Sequence, residues 1–323
     1  MRRALIVSLS AAVAATAMVV PAMPASAGTS NPLSLTTGFY ADPDSVPATW
    51  VRANSTDPRA SKIQASIGSR PIAKWFGSWF TDIGVSVNSY VTKADAADKL
   101  PVLVAYNLPG RDACGGHSSG GATTPAQYKT WISAFASAIG TRPAVVVIEP
   151  DALGDFNCMT STAIAQRNDM LVYATNQFKS KNPNTWVYLD GGNAKWVAAD
   201  VMATRLHNAG VKNVRGFSLN VSNFYTSAQT ATYGNSVNLN LFARRLYTRK
   251  FVIDTSRNGN GHNGQWCNPA GRKLGVPAQA SSGEDYKLWI KTPGASDGLC
   301  GIAPTVPAGT FSPDIAVRLI DGV

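Results

Sequence analysis

A chain of 323 residues in which 45% of side chains are hydrophobic and 15% charged can bury a large core, which excludes a disordered polypeptide. Lysine and arginine outnumber acids 29 to 19, but no basic run or recognition motif accompanies the surplus, so a basic surface is expected and a nucleic-acid partner is not. The four cysteines and three scattered histidines lack the close spacing of a zinc site, and neither a metal nor any other cofactor is expected.

The first 27 residues stand apart. Arg2 and Arg3 precede an apolar run from Ala4 to Val20, which closes on Pro21, Pro24 and the small-residue sequence Ala25-Ser26-Ala27. That order fits a cleaved signal peptide better than a membrane anchor, so a signal peptide over 1–27 and a secreted, extracellular catalytic domain over 28–323 are expected. No later segment is long and apolar enough to span a bilayer, and a monomer without membrane association is expected. Export would put Cys114, Cys158, Cys267 and Cys300 in an oxidising compartment. Three pairings are open, and Cys114 with Cys158 and Cys267 with Cys300 is the favoured one.

After a loop-like lead from Gly28 to about Thr56, short apolar runs alternate with longer segments of helical spacing. Strands are expected near Ile72–Phe80, Pro101–Tyr106, Ala144–Glu149, Thr185–Asp190, Val214–Asn220, Thr248–Asp254 and Tyr286–Lys291. Between them, Thr124 to Gly140 has a threonine cap, a proline in the first turn and a terminal glycine, and Ser161–Lys179 and Lys195–Asn208 also have helical character. Strand and helix in alternation imply parallel pairing with right-handed crossovers. The expected fold is therefore a single α/β domain closed as a seven-stranded parallel β/α barrel, with an open doubly wound sheet as the alternative. Two long segments without regular pattern, 107–121 and 256–285, each carry cysteines that would staple them.

The C-terminal strand ends of such a barrel form its active face. Tyr106, Glu149 with Asp151, Asp190, Asn220 and Asp254 all fall there. Any one of them could simply cap the next helix, but five together suggest a site. A pair of carboxyls on one face suits glycoside hydrolysis, in which one carboxylic acid protonates the leaving oxygen while water attacks the other side of the sugar. Competing chemistries are poorly represented: "GGHSSGG" lacks the Gly-Lys-Ser/Thr of a phosphate loop, and no Gly-x-Ser-x-Gly elbow is present. Trp75, Trp79, Tyr106, Trp196 and Trp266 lie at or just beyond strand ends, where flat rings could carry pyranose faces.

These residues resemble the glycoside hydrolase family 6 cellulases. "VAYNLPGRDACGGHSSGG" and "VVVIEPDALG" look like the family's two signatures, and "YLDGGNAKW", "DTSRNGNG", "WCNP" and "LWIKTPGASDG" follow in its order. The resemblance implies a distorted seven-stranded barrel, the disulfide pairing favoured above, and inverting hydrolysis of β-1,4-glucan or cello-oligosaccharide. It further implies that Asp151 is the general acid, that Asp112 helps to keep it protonated, and that Asp297 is the general base. Trp75, Trp196 and Trp266 map to stacking platforms, and Tyr106 to the aromatic beside the distorted ring. Arg111, Asp190, Asn220 and Lys291 map to substrate-binding positions, with Glu149 structural and Asp155 an ordinary loop acid.

The chain departs from the family pattern at Ala295, where glutamate is usual, at Asn193, where histidine is common, and at Ala113, an insertion into Arg-Asp-Cys. None touches the acid pair, so substrate choice is affected before catalysis. The short catalytic region favours an open cleft and endo action. The alternatives are an exo-acting relative and a non-catalytic glycan-binding protein.

Overall fold

The computed structural model describes residues 30–116 and 118–323. The expected signal peptide, 1–27, and His117 lie outside the described residues. Eight helices surround one sheet: α1 Val46–Ala53, α2 Ala60–Ile63, α3 Ile83–Ala96, α4 Pro125–Ile139, α5 Ser161–Lys181, α6 Ala199–Asn208, α7 Ser227–Arg245 and α8 Pro313–Asp321 among the described residues. The strands are β1 Lys74–Phe76, β2 Val102–Ala105, β3 Ala144–Ile148, β4 Thr185–Asp190, β5 Gly216–Leu219, β6 Lys250–Asp254, β7 Gln279–Ala280 and β8 Tyr286–Leu288.

Seven of these strands run parallel in the order β1-β2-β3-β4-β5-β6-β8, as the alternation predicts. The eighth, β7, was expected to be loop; it pairs antiparallel with β8 through Gln279↔Lys287 and Ala280↔Tyr286. The sheet curls far enough that the chain beside β1 meets the chain after β8, although no ladder joins these two strands. The seam is held by the amide of Ala73 donating to Trp289 O at 2.9 Å and by Trp75 Nε1 donating to Ile290 O at 2.8 Å. The first expected strand is also cut short, because the chain turns at Gly77, whose carbonyl accepts from Phe80 N.

Strands buried on both faces need apolar residues at every position, and "AVVVI" supplies them in β3. Val145 and Val147 point into the barrel with Val104, Tyr188 and Leu288, while Val146 and Ile148 pack outward against Phe135, Leu171 and Phe178 of the helical layer. Helix ends follow local chemistry: Thr124 and Thr160 accept from the amides of Gln127 and Ala163. Helix α7 opens with a capping box between Thr226 and Gln229, a signal that the strand-and-helix reading passed over. The lead, expected as loop, contains α1, with Pro47 in its first turn. Both favoured disulfides form, Cys114–Cys158 and Cys267–Cys300, with Cα separations of 5.3 and 6.0 Å. No helix among the described residues is long and apolar enough to cross a membrane.

Candidate active site

A long cleft of about 1190 Å³ crosses the C-terminal strand ends. Trp75, Tyr106, Arg111, Asp112, Asp151, Trp196, Trp266, Lys291 and Asp297 all line it, so the curled sheet brings together nine of the residues singled out by sequence. Asp190 and Asn220 do not reach the wall; both are buried behind it.

The position of Asp190 explains that of Asp151. Asp190 Oδ2 accepts the backbone N–H of Asp151 and that of Gly192, each at 3.0 Å, and its Oδ1 accepts from Ser218 Oγ. Glu149 does the same for the preceding loop, accepting from the amides of Asn107 and Leu108 at 2.9 to 3.1 Å. Asp254 does it for two more, accepting from Ser222 N and from Lys291 N at 3.0 Å. Each strand-end acid thus reaches sideways to fix the loop of a neighbouring strand, and those loops carry Arg111 and Asp112, Asp151, Ser222 and Lys291 to the cleft. Asn220, fully buried, bonds with both the amide and the carbonyl of Tyr225 and donates to Asp254 O. Asp112, Glu149, Asp151 and Asn220 have φ of 56°, 53°, 69° and 66°, a left-handed conformation that costs a non-glycine residue about 1–3 kcal/mol and tends to cluster where function requires it.

The electrostatics separate the acids. Asp151 is pushed well above the ordinary aspartate value, first by burial, then by Asp190, Asp155 and Asp112, with Lys291 opposing. Asp112 thus comes after two other carboxyls in its effect on Asp151. Its own Oδ2 accepts from the amide of Ser118. Glu149 is raised to about 7 and Asp190 to about 6, in both cases by burial working against the hydrogen bonds that each accepts.

Asp297 moves the other way. Burial alone would raise it, but Arg257 and Lys291 together outweigh burial and hold it below the ordinary aspartate value. Its Oδ2 accepts from Arg257 Nη1 at 2.9 Å and from Asn268 N at 3.0 Å, and Lys291 Nζ lies 3.4 Å from Oδ1. Arg257 also stacks on Phe224, 4.3 Å from the ring centre. Sequence reading passed over Arg257 and Asn268: a buried arginine in "DTSRNGNG" looks like any loop arginine until the fold sets it beside Asp297.

The aromatic residues are held in fixed poses. Trp75 meets Tyr106 edge to face at 5.2 Å, and Arg111 lies 4.4 Å over the Tyr106 ring while donating to Tyr106 O and Ser118 O. Trp79, Trp196 and Trp266 are 52%, 38% and 51% exposed along the cleft. Trp196 rests on Gly154, where a Cβ would come within 2.3 to 2.5 Å of its ring carbons. The backbone of Gly154, φ −70° and ψ −41°, suits alanine, so Gly154→Ala tests the ring's pose without backbone strain. With Trp196 displaced, the KM for a cello-oligosaccharide should rise about 3- to 10-fold, the loss of one aromatic contact. Thermal unfolding should stay near the parent's; an unchanged KM would remove Trp196 from the binding surface.

At the departures, Ala295 lines the cleft, and Asn193 Oδ1 accepts from Lys195 N at 3.1 Å, forming a local turn beside Trp196. Asp155, expected as an ordinary loop acid, is instead buried, with Oδ2 accepting the Ala113 amide at 2.9 Å.

Comparison with known proteins gives one consistent result. The Glycosyl hydrolases family 6 model matches residues 36–322. Endoglucanase 1 of Streptomyces halstedii is 52% identical over 98% of each chain. Endoglucanase A of Thermobispora bispora is 41% identical over 98% of this chain and 69% of its own. The solved structure of the endoglucanase Cel6 from Mycobacterium tuberculosis, in complex with methyl-cellobiosyl-4-deoxy-4-thio-β-D-cellobioside, superposes with a TM-score of 0.82 at 37% identity, covering 91% of this chain and 99% of that one.

Proposed function

Because the chain belongs to the glycosyl hydrolases family 6, we propose that it hydrolyses internal β-1,4-glucosidic bonds of cellulose or a related β-glucan, with inversion at the anomeric carbon. It is a glycoside hydrolase of the cellulase type. What supports the mechanism is the opposed surroundings of two cleft carboxyls: burial and neighbouring acids disfavour the charge of Asp151, whereas two cations favour that of Asp297. One can give a proton and the other can take one.

In this reading the glucan lies along the cleft on Trp75, Trp196 and Trp266, with Tyr106 and Arg111 beside the ring that is attacked. Asp151 protonates the glycosidic oxygen as the C–O bond breaks. Water attacks the opposite face, and its proton passes to Asp297. An aspartate tied to Arg257 and Lys291 is a weak base, so that transfer comes late, when bonding to the anomeric carbon has made the water acidic. Burial disfavours the ammonium of Lys291, and Asp297, which faces it, favours it. Asp112 acts on Asp151 through space, and Asp190 and Asn220 hold the loops from behind. Secretion fits the N-terminal pattern and the two disulfides.

Partly exposed tryptophans along one cleft, and endoglucanases among the relatives, support internal cleavage. The viscosity of a soluble cellulose derivative should fall early relative to the release of reducing ends. Cellobiose as almost the sole early product would contradict this. Proton NMR of the first-formed sugar should show the α anomer; a β anomer would overturn inversion and the role of Asp297 with it.

A further inference from the structure

The loops bearing Asp112 and Asp151 leave neighbouring strands, and their mutual position is set from below by a buried pair that the reaction itself does not use. From α5, Arg167 is 1% exposed and divides its guanidinium between the loops, with Nη2 donating to Gly110 O at 2.7 Å and Nη1 to Ala152 O at 3.1 Å. Asp155, 2% exposed, sends its carboxylate the other way, accepting the amide of Ala113, the residue after Asp112. The Asp155 amide itself donates to Asp151 O at 3.3 Å, and the Cys114–Cys158 disulfide closes the same two loops a few residues on.

We propose that Asp155, with Arg167 as its cationic counterpart, is the positioning residue that holds Asp112 in register with Asp151; the inference rests on the hydrolytic reading above. Buried, Asp155 has one carboxylate oxygen at Ala113 N and its own backbone amide at Asp151, so one residue links the partner acid to the proton donor. Its charge acts on the same donor. Asp151 is faced by Asp190, Asp155, Asp112 and Lys291, and Asp155 in turn by Arg167 and Asp112. Arg167, whose charge burial disfavours, is faced by Asp155 and Glu149.

Two substitutions separate geometry from charge. Asp155→Ala removes both the acceptor for Ala113 N and the negative charge, and should lower kcat on a soluble β-glucan by about tenfold or more with KM within about twofold, the signature of misplaced catalytic groups. Asp155→Asn keeps an acceptor oxygen and should recover most of that loss. In both variants the alkaline limb of the kcat profile should move to lower pH, because a charge that keeps Asp151 protonated is gone. Equal losses in the two variants with an unmoved limb overturn the proposal, as does a parental kcat in the alanine variant. If the alanine variant proves unfolded by circular dichroism, the limb in the asparagine variant decides alone. Asp151→Asn is run alongside: a dead Asp151 variant beside unchanged Asp155 variants overturns this inference only, whereas parental turnover in Asp151→Asn overturns the hydrolytic reading too.

Discussion

Replacing Asp151 by asparagine should lower kcat on a β-glucan by about 10²- to 10⁴-fold, the range spanned by a positioned general acid, and should at the same time stabilise the protein at neutral pH. Both effects have one origin. The Asp151 carboxyl titrates well above 3.8 in the folded protein because burial and three nearby carboxyls disfavour its charge. In the unfolded chain it ionises near the ordinary value, so above that pH the unfolded state releases a proton that the folded state retains. Folding stability must therefore fall as pH rises from the unfolded pKa toward the folded one. Asparagine cannot ionise, and the backbone N–H at position 151 still has Asp190 as its acceptor. Urea midpoints of parent and variant should coincide in acid and separate as pH rises above about 4, the variant being the more stable. A glycoside whose leaving group needs no proton should lose far less rate than the polymer. Loss of activity with no stability gain at any pH would mean that Asp151 is ionised in the resting enzyme and that the acid is another group.

The sequence reading found the residues that line the cleft more readily than the residues that hold them in place. Val145 to Ile148, apolar at every position, could hardly be anything but a doubly covered strand, and Thr124-Pro125 to Gly140 marked its own helix ends. The aspartates and tryptophans of the cleft stood out because they sit in motifs that resemble a family. Glu149, Asp190 and Asp254 stand out for a different reason, as polar residues at strand ends, yet only Glu149 reads as scaffold. Whether a strand-end acid faces the cleft or a neighbouring amide depends on how adjacent strands are staggered, and no local pattern reports that. Arg167 is the extreme case. It sits in an amphipathic helix among polar residues, and only the fold shows that its guanidinium is 1% exposed and donates to carbonyls of two loops. Asp155 was read as an ordinary acid because its partner, Ala113 N, is a backbone amide 42 positions away and carries no sequence mark. The unpredicted β7 has only two residues, too few for any periodicity.

Asp297→Asn should be the more damaging change to the fold. The parent side chain is buried between Arg257, 2.9 Å from Oδ2, and Lys291, 3.4 Å from Oδ1, so neutralising it leaves two cations buried without their counter-charge. Breaking such a cluster from one side costs about 3–5 kcal/mol, and urea unfolding at neutral pH should register a loss of that order. The pH dependence runs opposite to that of Asp151. With its folded pKa depressed, Asp297 stabilises the protein at pH above its unfolded value and loses that contribution as pH falls through the folded one. Parent and variant should therefore differ most near neutrality and converge in acid. Turnover per folded molecule should fall by about 10²- to 10⁴-fold if Asp297 takes the proton from the attacking water. A variant that is destabilised as expected but turns over within about tenfold of the parent would leave Asp297 as the anchor for Arg257 and Lys291, and would pass the base role through water to another group. Asp112, which lines the cleft with Asp151, would then be the next to test.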